Sequence, residues 1–214
     1  MLYLFLSFLI SYLLGSFPTA YVYGRISKGI DIRNYGSKNI GATNTLRVLG
    51  KKAGLIVLVI DLIKGLTAVL FIAYLFYYYS SNPINLLFFR ISSGCGVVAG
   101  HIYSLFLKFK GGKGVATSVG VLLGIVPLAA FSAFTVWLLF FFLFGYVSLA
   151  SICASLFLPV FIILFYPANP HFLALILFAL TISLWIIIKH RENINRLVSR
   201  KEDKIFQKSF LKGG

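Results

Sequence analysis

Long apolar runs separated by short polar, basic breaks make up this chain. The apolar segments lie at about 2–24, 54–76, 86–107, 114–130, 131–146, 150–166 and 171–188. A helix of about 20 apolar residues spans the hydrocarbon core of a bilayer, so the pattern predicts an all-α, polytopic integral membrane protein. The region 114–166 is nearly continuous. Gly124, Pro127, Gly145 and Pro159 are its main interruptions, and two, three or four elements fit it on hydropathy alone.

The distribution of charge narrows that choice. Of the 20 Lys and Arg residues, seven fall in 25–52, three in 108–113 and eight in 189–212, leaving only Lys64 and Arg90 elsewhere. Basic residues concentrate in cytoplasmic links of membrane proteins, so these three segments are expected on one side. Two crossings then occupy 53–107, with YYYSSNPIN (77–85) outside, and an even number occupies 114–188. Four crossings of about 16–20 residues fit that stretch. The count is seven transmembrane helices, N-terminus outside and C-terminus cytoplasmic. The expected outer links, 77–85, 124–132 and 166–171, carry no Lys or Arg. Pro127 and Pro159 invite bends in these short, glycine-bearing helices.

Composition agrees. Hydrophobic residues are 59% and charged residues 12% of 214, with mean hydropathy +0.94, against about 25% charged in soluble domains. A single membrane-embedded domain over 1–214 is expected. The net charge of +15 would suggest nucleic acid in a soluble protein. Here the basic residues border membrane spans and face anionic headgroups instead, so no nucleic-acid partner is expected. Cys95 and Cys153 lie in apolar runs, with no disulfide framework and no metal-ligand spacing. The first segment lacks a basic n-region and is too long for a signal peptide's apolar core; it is read as a retained crossing.

Candidate chemistry gathers in the basic links. RISKGIDIRNYGSKNIGATNTLRVLGKK (25–52) combines Asp31, Arg33, Asn34, Ser37, Lys38, Asn39, Thr43, Asn44 and Arg47 with Gly36 and Gly41. Glycine turns with inward N–H groups and Ser, Asn, Lys and Arg donors form an anion-binding inventory. A solvated positive-inside loop explains the charge but not the dense hydroxyl and amide content. GGKG at 111–114 lacks the GxxxxGK[ST] spacing of a Walker loop. A glycine stretch ahead of a helix N-terminus still suits phosphate; a flexible turn with snorkelling lysines fits as well. His101, in VVAGHIYSLF, is more simply a hydrogen-bonded structural residue. Asp61 and Lys64, spaced i,i+3, are expected to neutralise each other inside the membrane. In HRENINR (190–196), His190 and Asn193 share a helical face. In GYVSLAS (145–151), Ser148 and Ser151 fall at a cytoplasmic junction, although membrane helices also use Ser to bond their own backbone. All these elements fall on one membrane face, which suggests an anionic, phosphorylated substrate meeting a lipidic one.

SKNIGATNTLRVLG (37–50), GHIYSLFLKFKGGKGVAT (100–117) and HREN (190–193) resemble the three signature regions of the bacterial acyl-phosphate glycerol-3-phosphate acyltransferases, the PlsY family. SFPTAYVYGR, DLIKG (61–65) and YVSLAS (146–151) are similar to further family positions, so the likeness spans nearly the whole chain in order. Two departures stand out. Lys38 occupies a position that is often glycine, and Gly145 stands where an arginine often precedes Tyr146, which puts one anion contact in question.

The resemblance implies a seven-helix enzyme of the bacterial cytoplasmic (inner) membrane with an active site facing the cytoplasm, here expected to be monomeric. It implies acyl transfer from acyl phosphate to the 1-hydroxyl of glycerol 3-phosphate, giving 1-acylglycerol 3-phosphate and inorganic phosphate, with no cofactor and no metal. Arg47, Lys113, Ser148, His190 and Asn193 would contact glycerol 3-phosphate, with His190, Lys113 and Arg47 as the catalytic set. Ser37, Gly111 and Gly112 would hold the acyl-phosphate headgroup. Asn39, Gly41, Asn44, His101 and Gly114 complete the expected substrate-binding residues. Acyl phosphate is already an activated mixed anhydride, so binding, alignment and charge stabilisation suffice. The base is a substrate phosphate or His190. The HxxxxD pair of the other glycerol-phosphate acyltransferase class is absent, because Phe106 stands at the aspartate position after His101. The competing readings are a transporter of a phosphorylated solute, which should carry polar residues along a midplane path, and a non-catalytic lipid-binding protein.

Overall fold

The computed structural model describes residues 1–80 and 84–205, and every regular element among them is helical. Part of the expected outer link 77–85 and the terminal FLKGG lie outside the described residues. The chain divides into two units, residues 1–125 and residues from 126 onward.

The first unit opens with α1 (Leu2–Ser16) and α2 (Thr19–Lys28). They are separated at Phe17–Pro18, because proline supplies no N–H and disfavours helix at the residue before it. A short helical turn at Ile32–Asn34 leads to α3 (Ala42–Leu49). Next come α4 (Lys51–Thr67), a single wide turn over Ala68–Ile72, and α5 (Ala73–Tyr79), which run on as one apolar rod. The unit closes with α6 (Leu86–Ile102) and α7 (Val115–Ile125), joined by the lysine–glycine loop.

Its packing inverts the soluble pattern. On α1 the buried positions are Ser7, Ser11, Gly15 and Ser16, while Leu2, Phe5, Leu9 and Ile10 face outward. Lipid tails are as apolar as leucine, so the outer face needs no polarity and small residues set the helix contacts. The α1–α6 seam shows how tight these are. A Cβ added at Gly15 would lie 2.0 Å from the Val97 carbonyl oxygen, one at Gly96 2.3 Å from that of Phe8, and one at Gly100 2.1 Å from that of Tyr12. The α4–α7 seam repeats the device at Gly65 and Gly120.

The second unit contains α8 (Pro127–Phe144), α9 (Val147–Phe165), α10 (Phe172–Lys189) and α11 (Arg191–Val198). Gly145, in the left-handed region at φ 79°, closes α8. Pro159 lies inside α9.

Among the described residues, six helical runs are long and apolar enough to cross a membrane: Leu2–Lys28, Lys51–Tyr79, Leu86–Leu107, Pro127–Phe144, Val147–Phe165 and Phe172–Lys189. The crossing expected over 114–130 is instead α7, 11 residues long, or about 16 Å at 1.5 Å per residue. The boundary expected at 130/131 lies at Val126, because Pro127 takes the first position of α8, where its missing N–H costs nothing. Residues 127–130 therefore belong to the next helix.

Candidate active site

Within the first unit the loop 29–41 is held from inside by one amide. Asn44, fully buried on α3, accepts from the Ser37 backbone N–H at 2.8 Å. Its Nδ2 donates to the Ile32 and Tyr35 carbonyls at 3.3 and 3.2 Å. Gly36, at φ 56°, passes so close that a Cβ there would sit 2.4 Å from Asn44 Oδ1. Gly41 precedes α3, and its carbonyl accepts from both Thr45 N–H and Thr45 Oγ1. Asn39 is half-buried beside it. Asp31 starts the short turn by accepting from Arg33 N–H and pairs with the Arg33 guanidinium. That hydrogen bond, outweighing burial, holds the Asp31 carboxyl down at about 2. Arg33 also lies over the Tyr21 ring. Arg33 is thus engaged by Asp31, while Arg47 stands half-buried on the last turn of α3.

Beneath the loop lies a buried polar network. Lys64 donates to Asp61 Oδ1 at 3.1 Å, and also to Thr19 Oγ1 and to the Phe17 carbonyl at the α1–α2 break. Thr19 Oγ1 donates to Asp61 Oδ1 at 2.8 Å. His101 Nδ1 is 3.9 Å from the same oxygen and 3.2 Å from Thr117 Oγ1. A narrow cleft reaches this network, lined in part by Thr19, Ile40, His101 and Ser104.

The glycine loop is folded onto His101. Gly111 N–H donates to the Ile102 carbonyl at 3.1 Å, and Gly112 N–H to the His101 carbonyl at 2.9 Å. A Cβ on Gly111 would lie 2.1 Å from the His101 carbonyl oxygen, and one on Gly112 2.4 Å from His101 Nε2. Gly114 needs φ 81°. The glycines are therefore required by close approach, and the amides of Gly111 and Gly112 are engaged by the loop's own carbonyls. Lys113 is half-buried at the entrance to α7, whereas Lys108 and Lys110 are exposed.

In the second unit His190 joins α10 to α11 and is 2% exposed. Its Nδ1 lies 2.8 Å from the Ile186 carbonyl. A carbonyl can only accept, so Nδ1 carries a proton. Asn193 is buried one helical turn away. Ser148, at the start of α9, donates to Glu202 Oε1 at 2.7 Å; Asn193 Nδ2 donates to that oxygen at 2.6 Å, and Arg196 Nε to Oε2 at 2.7 Å.

These two polar assemblies, one rich in buried donors around a glycine loop and one built on the HREN helix, can be set beside known proteins. Residues 5–200 match the family described as "Glycerol-3-phosphate acyltransferase". The chain belongs to this family. It is 39% identical to a glycerol-3-phosphate acyltransferase of Chlorobium phaeobacteroides, over 92% of this chain and 94% of the relative. It is 41% identical to one of Prochlorococcus marinus, over 92% and 95%. Among solved structures, it is similar to an integral membrane glycerol 3-phosphate acyltransferase, PlsY, in its glycerol 3-phosphate form. There the TM-score is 0.84 at 37% identity, over 99% of each chain.

For this acyltransferase-family chain, the expected residues divide by what they touch. Asn44 and Gly41 hold the loop; Gly111, Gly112 and Gly114 meet steric demands around His101 and Ile102. His101 itself faces Thr117 and the Asp61–Lys64 pair. Ser151 bonds its own helix at Val147 and accepts from Trp137. Ser148 and Asn193 share one carboxylate. The sequence reading missed Glu202, which lies in a basic tail outside every motif, and Thr19, whose role depends on a helix break. Lys38, at φ 60°, occupies a backbone conformation that suits glycine.

The Asn44 arrangement generates a direct test. Asn44→Ala leaves the loop amide and two carbonyls without their partner, a cost of about 1–3 kcal/mol. The expected result is a lower melting temperature of the purified protein together with reduced activity. Unchanged stability with activity lost would instead make Asn44 a substrate contact.

Proposed function

We propose that the protein acylates the 1-hydroxyl of glycerol 3-phosphate, with acyl phosphate as donor, at the cytoplasmic face of the bacterial inner membrane. The carrying observation is the assignment to the glycerol-3-phosphate acyltransferase family over residues 5–200, together with the similarity to PlsY in its glycerol 3-phosphate and lysophosphatidic acid forms. The acyl-phosphate donor follows from the resemblance of the three signature segments.

The hydroxyl oxygen attacks the acyl carbonyl carbon, and the bond from that carbon to the phosphate oxygen breaks. The electron pair leaves with phosphate, and the hydroxyl proton ends on phosphate. Stabilising negative charge on the carbonyl oxygen and on the departing group is the main demand. Arg47 and Lys113 supply the cations for it. With the Gly111 and Gly112 amides engaged in their loop, the role expected of them passes to Lys113 and the first turn of α7. Ser37 assists at the headgroup. His190, Asn193 and Ser148 orient glycerol. His190 is assigned to binding, and a substrate phosphate is the proton acceptor.

A transporter is disfavoured because the deep charges of α4 are satisfied by each other and by Thr19, rather than strung along a path. For topology we propose seven crossings, with α7 as a short fourth one. The charge map supports this, since three crossings between Lys113 and Lys189 would put two basic segments on opposite sides.

Product analysis by mass spectrometry tests the reaction. With acyl phosphate and glycerol 3-phosphate, 1-acylglycerol 3-phosphate is the expected product; formation only from an acyl thioester would overturn the donor assignment. Arg47→Ala and Lys113→Ala are each expected to lower kcat/KM at least about 100-fold, on the scale of one lost charge-stabilising donor. Lys108→Ala should stay within about threefold, and equal losses in all three would indicate general membrane electrostatics. For topology, Lys110→Cys and Lys201→Cys, in a background lacking Cys95 and Cys153, should react with an impermeant maleimide from the same side. Reaction from opposite sides would refute four crossings between them.

A further inference from the structure

The apolar run Leu86–Leu107 ends in a tight turn that leads straight into the glycine loop. Ser104 and Leu107 are buried in this turn. Ser104 donates to the Ser16 carbonyl, and Leu107 packs with Ala20, Ile32, Ile40 and Val57. Residues three apart in such a turn share a face, which leaves the positions between them on the other side. There Leu105, Phe106 and Phe109 are 46%, 60% and 58% exposed. Lys108 and Lys110, beside them in the chain, are exposed as well.

The backbone holds this ledge in a form that side chains disfavour. Lys108 and Phe109 take φ 53° and 61° in succession, and a bulky residue in the left-handed region is an outlier. Such conformations persist only where the surroundings fix them, and they gather at functional positions. Here the reversal lets Phe109 N–H donate to the Ser104 carbonyl at 2.8 Å. Two further bonds close the same neck, from Gly111 N–H to the Ile102 carbonyl and from Gly112 N–H to the His101 carbonyl. Ledge and glycine loop are therefore one clamped piece, and a tilt of the first carries the second.

The place and the charges of the ledge say what covers it. It lies where an apolar run long enough to cross a membrane stops, so bilayer hydrocarbon is adjacent. Aromatic and aliphatic side chains alternating with lysine suit the interface, with rings among acyl chains and ammonium groups among phosphates.

We propose that Leu105, Phe106 and Phe109 form a wedge inserted into the adjoining leaflet, with Lys108 and Lys110 on its phosphates. The wedge holds the glycine loop and the first turn of α7 at the level of the lipid headgroups. A lipidic donor carries its phosphate at that level, whereas glycerol 3-phosphate arrives from water. The wedge is thus a positioning device for the lipidic substrate alone. That consequence rests on the reading of a membrane-held acyl donor; the insertion itself does not.

Two measurements on the full chain in phospholipid vesicles test this. The first uses a background carrying Trp137→Phe and Trp185→Phe, into which Phe106→Trp or Phe109→Trp is placed as a fluorescent reporter. Lipids brominated on the acyl chain are expected to quench both reporters strongly, and aqueous iodide weakly. The reverse pattern would overturn the proposal and leave the ledge to a soluble partner. The second compares the KM for each substrate in the Phe106→Ser/Phe109→Ser double variant. The KM for palmitoyl phosphate is expected to rise about tenfold, on the scale of lost apolar contact, with kcat and the glycerol 3-phosphate KM within about twofold. Phe106→Leu/Phe109→Leu keeps the apolar bulk and should bring the palmitoyl phosphate KM back to within about threefold of the original. Equal losses for both substrates, or no rescue by leucine, would make the ledge merely a packing element and overturn the proposal. If the serine pair does not fold, Phe106→Ser alone decides on the same two KM values. A parent protein active only with an acyl thioester would remove the acyl-phosphate reading, and the quenching pattern would still decide the insertion.

Discussion

A lysine and an aspartate buried in an apolar unit can persist only if each answers the other, and Asp61 and Lys64 set the terms for the first unit. An ionisable pair inside a membrane protein needs charge and hydrogen-bond partners from several elements. The Phe17 carbonyl at the Pro18 break accepts from Lys64, and Thr19 donates to Asp61. His101 stands against the same aspartate and offers its backbone carbonyl to Gly112. A helix break in α1–α2, the charge pair of α4, the end of α6 and the glycine loop are therefore one connected arrangement. Moving the pair would displace the support on which Lys113 is presented.

The two units handle polarity in opposite ways. Around Asn44 and His101, backbone groups are consumed by side chains and carbonyls, so a loop rich in glycine and amide becomes stiff. What it offers to a ligand is cationic side chain more than open backbone. Around Glu202, a buried carboxylate gathers donors from Ser148, Asn193 and Arg196. With acyl phosphate as the proposed donor, the mixed anhydride would already carry the driving force and no acyl-accepting Ser or Cys would be required.

Much of this was legible in the sequence because membrane proteins write charge and hydropathy plainly. The helical class, the apolar runs, the Asp61–Lys64 pair and the family pattern of SKNIGATN, GGKGVAT and HREN all read directly. The end of the 114–130 segment was misplaced because hydropathy is blind to the helix start at Pro127, and α7 stops after 11 residues. The glycines of the loop looked like phosphate donors, since sequence cannot show that the His101 and Ile102 carbonyls already hold their amides. Glu202 was invisible for a different reason: a lone acid in a basic tail carries no periodicity, and only the chain reversal at Arg200 brings it to Ser148.

The central claim is direct transfer between two bound anions, with no acyl-enzyme. It is tested most directly by rapid-mixing measurement of phosphate released from acyl phosphate by the purified protein, with and without glycerol 3-phosphate. The account predicts no burst and no steady release until glycerol 3-phosphate is present, then one phosphate per acylated product. A stoichiometric burst of phosphate in its absence would contradict it.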